Sequence, residues 1–224
     1  MNNELKNNSG FTPFEFYTEV QLDEVTGHSV INLKELLEKL KMVSGSVIYC
    51  HTFRTMLLHH FITEGFKNDF AHWVIDALNE EELGERLVSI DLIEYTAIRA
   101  YREKMTQIIE EYLARNPAAA TRNAREERRF FFCSTYSFVV TTGKIAHTLE
   151  EFANQLHRCS NNSIFFHFIE ARLRVGQPIN DFSIWLSQSL GKQGLAEKIN
   201  KLDPYIYTLE QLKEKISELV EQEL

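Results

Sequence analysis

The side chains able to move protons fall on two segments. Val47–Phe61 carries His51, Arg54, His59 and His60, and Ser163–Val175 carries His167, Glu170, Arg172 and Arg174. If each segment is helical, His51 and Arg54, three residues apart, share one face, and so do His167 and Glu170. A histidine beside a carboxylate is the raw material of general acid/base catalysis. His59 and His60, joined by His51 and Asp69, also offer enough ligands on paper for a metal. The spacing is no known ligand pattern, because His51 and His59 lie two helical turns apart. The candidate polar cluster is therefore His51, Arg54, His59, His60, His167, Glu170 and Arg174, and neither a metal nor another cofactor is expected.

The two segments match because the chain is written twice. A constant shift of 116 residues lays Phe14 on Phe130, Phe16 on Phe132, Thr26-Gly27 on Thr142-Gly143, Leu33 on Leu149 and His51 on His167. After a four-residue deletion in the second copy, Asn68-Asp69-Phe70 and Trp73 fall on Asn180-Asp181-Phe182 and Trp185. A duplicated unit repeats one supersecondary solution. The same shift places Arg54 on Glu170, so opposite charges at equivalent positions are expected to pair across a pseudo-two-fold axis, flanked by the two histidines. The plainer reading makes His51 and His167 core residues satisfied by backbone or hydroxyl partners, and it stands first, because buried charged pairs serve geometry more often than chemistry.

Each copy opens on a strand. Phe14–Leu22 alternates apolar and polar residues, and Phe130–Val140 is rich enough in aromatic and β-branched residues to suggest burial on both faces. Asn32 with Glu35, and Thr148 with Glu151, read as capping boxes of the next helix. The run from Val47, or from Ser163, is too long for a strand and predicts a second helix. Asn68-Asp69 and Asn180-Asp181 have cap chemistry for a third, with Phe and Trp three apart packing inward. A short helix follows, then a last one capped at Thr96 or Thr208.

The expected fold is mainly α with a minor β component: two tandem repeats, each one strand followed by about five helices, packed as one globule. Residues 1–12 read as a disordered tail, 13–115 as repeat 1, 116–128 as a linker whose arginines are solvated, and 129–224 as repeat 2. A formal charge of −8 over 224 residues argues against a nucleic-acid partner. Cys50, Cys133 and Cys159 have neither disulfide nor zinc spacing. Absence of a signal peptide and of any bilayer-length apolar run predicts a cytoplasmic protein. There is no Gly-x-Ser-x-Gly elbow and no phosphate loop.

Asn32-Leu-Lys-Glu-Leu-Leu, Gly45-Ser-Val-Ile-Tyr-Cys-His51, Asn68-Asp-Phe-Ala-His-Trp-Val74 and Leu83-Gly-Glu-Arg-Leu87 resemble a prokaryotic family numbered 5752 among the domains of unknown function. Phe165-Phe-His-Phe-Ile-Glu-Ala-Arg-Leu-Arg174 and Asn180-Asp-Phe-Ser-Ile-Trp185 resemble it too. The resemblance implies a one-chain prokaryotic cytosolic protein and transfers no catalytic residue. The function expected is a non-catalytic module that binds a small molecule or a protein between the repeats, in an oligomeric state the sequence leaves open. The alternative is an enzyme on a sugar or phosphosugar, with His51, His167 or Glu170 as acid/base. A third reading, a subunit of a larger complex, would use an exposed apolar patch around Phe130–Phe132.

Overall fold

The computed structural model describes residues 12–59 and 68–224. Strand β1 spans Phe14–Val30 and β2 spans Phe130–Ala146, and the two form a two-stranded sheet. Thr135 donates to Asp23 Oδ1 at 2.6 Å, Thr26 to the Phe132 carbonyl at 2.8 Å and Thr142 to the Phe16 carbonyl at 2.6 Å. These bonds make the pair antiparallel, with Asp23 opposite Thr135. Gly27 and Gly143 sit at φ +76° and +72°, a left-handed conformation inside a strand, which explains why Thr-Gly recurs at that place in both copies.

After β1 come α1 (Leu33–Met42), α2 (Gly45–Tyr49), a π-helical turn (Cys50–Arg54), α3 (Thr55–His59), α4 (Asp69–Leu78), α5 (Glu81–Val88) and α6 (Ile98–Arg115). After β2 the order repeats: α7 (Leu149–His157), α8 (Asn161–Ile164), a π-helical turn (Phe165–Glu170), α9 (Ala171–Val175), α10 (Asp181–Gln188), α11 (Gln193–Asn200) and α12 (Leu209–Glu221). Each copy is thus a strand followed by helices, with its second helix interrupted by a π turn. Packing repeats as well, since α4 lies on α5 as α10 lies on α11, and α1 on α6 as α7 on α12.

Caps set the helix starts. Asn32 and Thr148 accept from the Glu35 and Glu151 amides at 2.9 and 3.1 Å. The two glutamates reach back one residue beyond the cap, to the amides of Ile31 and His147. A reciprocal capping box forms at Thr208 and Gln211. Thr96, expected as its counterpart, is not the cap of α6; Ala97 takes that position with no side-chain bond.

The chain forms two compact units that do not follow the copy boundaries. One consists of the chain up to Thr18 with Val140–Ile169 and Ile179–Leu224; the other is Glu19–Val139 with Glu170–Pro178. In the first, Phe14 and Phe16 of β1 pack on Phe152, Phe182 and Trp185 of the second copy. In the other, Phe130 and Phe132 of β2 pack on Phe70 and Trp73 of the first copy. Each set of helices is completed by the opening of the other copy's strand. Both indoles donate to a carbonyl at the start of that strand, Trp73 to Arg128 and Trp185 to Thr12, each at 2.7 Å.

The arginines of the segment at 116–128 are exposed, as expected of a solvated linker, while the segment is also anchored: Ala124 donates to Ile31 at 2.8 Å, Arg122 pairs with buried Glu80 at 2.6 Å and Arg128 with Asp76 at 3.2 Å. One expectation is corrected. Burial of β2 on both faces holds only near its start, because every residue from Tyr136 to Thr141 is exposed.

Candidate functional site

His51 and His167 both sit in π turns. A π turn widens the helix by one residue and re-aims the side chains on it; Thr55, just after the first, donates to the Cys50 carbonyl five residues back, at 3.2 Å. Each imidazole is turned into an aromatic pocket. His51 lies 4.8 Å from Phe130 and 5.2 Å from Phe70 by ring centroids, and His167 lies 4.9 Å from Phe14 and 5.5 Å from Phe182.

The polar bonds are the same in both copies. His51 Nε2 accepts from the Cys133 amide at 2.9 Å, and its Nδ1 faces Asp69 Oδ2 at 2.9 Å. His167 Nε2 accepts from the Tyr17 amide at 2.8 Å, and its Nδ1 faces Asp181 Oδ2 at 2.7 Å. A main-chain N–H can only donate, so Nε2 must be the acceptor. The network therefore assigns a neutral imidazole with its proton on Nδ1, donated to the aspartate. Histidine and aspartate together hold the exchanged strand by its backbone.

Asp69 and Asp181 take up this second role because Asn68 and Asn180 do the capping. Asn68 accepts from Phe70 and Ala71, and Asn180 from Ser183. The histidine–aspartate partnership is written in the duplication, since both residues recur as matched polar positions. Helical spacing hides it, because the two stand on different helices.

The expected pair of Arg54 with Glu170 does not form. Arg54 Nε lies 3.6 Å from Asp23 Oδ2, an ion-pair distance. Glu170 accepts from the Tyr49 hydroxyl and interacts with Glu19, in the same unit. Matched sequence positions carry no information on rotamers, and Asp23 and Tyr49 were nearer partners. Gln21 donates to Glu19 and, at 2.6 Å, to the Tyr49 oxygen. Glu19 and Glu170 are each only 6% exposed. Burial, followed by the hydrogen bond and charge of Glu19, holds the Glu170 carboxyl well above the usual carboxylate range, while Arg174 pulls it down only in part. The Glu170 carboxyl thus stands among buried polar groups, with the Tyr49 hydroxyl pushed up mainly by burial.

His167 belongs to the other unit. His60 and the side chain of His59 lie outside the described residues. Among the described residues no group of three or more His, Cys, Asp or Glu stands together as a metal site would. Sequence reasoning missed Glu19, Gln21 and Tyr49, whose alternation on β1 and place before the π turn gave no chemical signal.

The model of a family of unknown function, DUF5752, matches residues 11–221. The chain belongs to the DUF5752 family. Among solved structures, OrfY from Thermoproteus tenax is similar to it, with 31% sequence identity over 94% of this chain and 95% of that one and a TM-score of 0.79. No curated protein matches this DUF5752 chain. Among the described residues of this DUF5752 member, no helix is long and apolar enough to cross a membrane.

Proposed function

We propose that the chain is a non-catalytic binding or regulatory protein, taking a protein or small molecule as its ligand. One observation carries the reading: in both copies the histidine Nε2 accepts from a main-chain amide while Nδ1 is bonded to an aspartate. A general base needs a ring nitrogen within reach of the substrate's proton, and neither imidazole has one free. The thiols support the same reading, because burial pushes Cys50 and Cys159 up to about 11, away from the reactive thiolate.

A broad hydrolase and transferase activity panel is the test. The expected result is no turnover with the wild-type chain. Turnover that disappears in folded His51→Asn or His167→Asn variants overturns the proposal. The enzyme reading on a sugar or phosphosugar is favoured by one observation, the burial of Glu170 beside Glu19, which raises its carboxyl as the carboxyls of general acids are raised. It requires turnover that Glu170→Gln abolishes.

A further inference from the structure

Of the large apolar side chains exposed on the described surface, most lie on the two strands. Within the Glu19–Val139 unit, Val20 and Leu22 of β1 and Tyr136 and Phe138 of β2 are exposed by 52, 57, 52 and 55%. With Asp23 opposite Thr135, antiparallel pairing sets Leu22 against Tyr136 and Val20 against Phe138. All four therefore share one face of the sheet, while Glu19, Gln21, Asp23 and Thr135 point to the other. A contiguous apolar face of this kind on a water-soluble domain marks a contact surface.

We propose that this face docks on the same face of a second copy of the chain. The inference gives the binding reading above its partner. Three features select a copy of the chain over a different protein. The four residues are pseudo-equivalent in pairs, Val20 with Tyr136 and Leu22 with Phe138, so both strands present apolar side chains at matched positions, as an isologous contact that lays β1 on β2 requires. A two-fold axis along the strands lays β1 of one copy over β2 of the other, setting the small Val20 and Leu22 against the large Tyr136 and Phe138. The patch also holds no charge, and on a chain of formal charge −8 a neutral face is where two copies repel least. Four side chains at half exposure present on the order of 400 Å², about half of what each partner contributes to a standard interface. The dimer is accordingly reversible and concentration-dependent.

Sedimentation velocity of the full chain, from about 1 to about 500 μM, reads it directly. The expected weight-average mass rises from 26.2 kDa towards about twofold that value as concentration increases. Phe138→Asp and Val20→Lys each abolish the rise while leaving the circular dichroism spectrum and melting temperature unchanged. Mixing the two variants restores it, because the new aspartate of one copy faces the new lysine of the other. A wild-type chain that stays monomeric throughout, or a dimer indifferent to both variants, overturns the proposal; neither outcome bears on the absence of turnover, which the activity panel tests alone.

Discussion

At the scale of single residues, the bonds of His51 determine what can be asked of it. Replacing it by Ala strands the Cys133 amide and Asp69 and leaves a hole among Phe70, Phe130 and Phe132. Loss of about 3 kcal/mol in urea unfolding is expected, with His167→Ala similar. Long-range proton–nitrogen correlation spectra should show both rings protonated at Nδ1 at neutral pH; an Nε2–H tautomer at either ring contradicts the bond from the Cys133 or Tyr17 amide. Glu170 makes a prediction in pH. Its folded pKa is raised above the unfolded value of about 4.3, so above that pH the folded state keeps a proton that the unfolded state releases. Stability from this group is complete below about pH 4.3 and falls as pH rises through the folded pKa. Glu170→Gln keeps an acceptor for Tyr49 and a donor for Glu19 without the ionisation. The variant should unfold with a flatter pH dependence above pH 4.3 and gain stability over wild type at pH 8. Residue types revealed that His51 and His167 matter twice, but not which atoms they meet, because partners on other helices leave no trace in local spacing.

At the scale of elements, the copies differ where packing demands it. A Cβ at Gly84 of α5 would stand 2.1 Å from Ile75 Cγ1 of α4, so Ile75 must shift to admit one. The second copy places Ala196 at this position and Ser187 where Ile75 stands, a smaller neighbour that leaves room for the methyl. Gly84→Ala should cost about 1–3 kcal/mol by overpacking. The double variant Gly84→Ala with Ile75→Ser should cost less than the sum of its parts, measured by a thermal-denaturation cycle. The helices and most caps were legible because capping and apolar periodicity are local properties. Thr96 misled because α6 starts one residue later than a cap there would set it, with Ala97 at the cap, and the π turns were invisible because a one-residue widening leaves apolar periodicity nearly intact.

At the scale of the whole molecule, neither copy holds all the residues of one compact unit. Phe14 and Phe16 complete the helices of the second copy, while Phe130 and Phe132 complete those of the first. Polypeptides 1–122 and 123–224, produced separately, should each lack cooperative unfolding and dispersed amide spectra, and mixing should restore both. Independent folding of either half would contradict the exchange. A duplication of this kind predicts the same element order twice, yet it is silent on which copy each strand serves.

The sequence by itself determined the repeat, the order of strand and helices, the caps and the family, since these follow from local propensity and pairwise matching along the chain. Only the tertiary structure decided that the strands are exchanged, that the histidines grip backbone amides through Nε2, that Arg54 turns to Asp23 while Glu170 is buried beside Tyr49 and Glu19, and that the exposed apolar face lies past Phe132, at Tyr136 and Phe138. Those outcomes depend on which groups meet across distances of about a hundred residues in sequence, where burial and hydrogen-bond geometry choose among partners of equal chemical type.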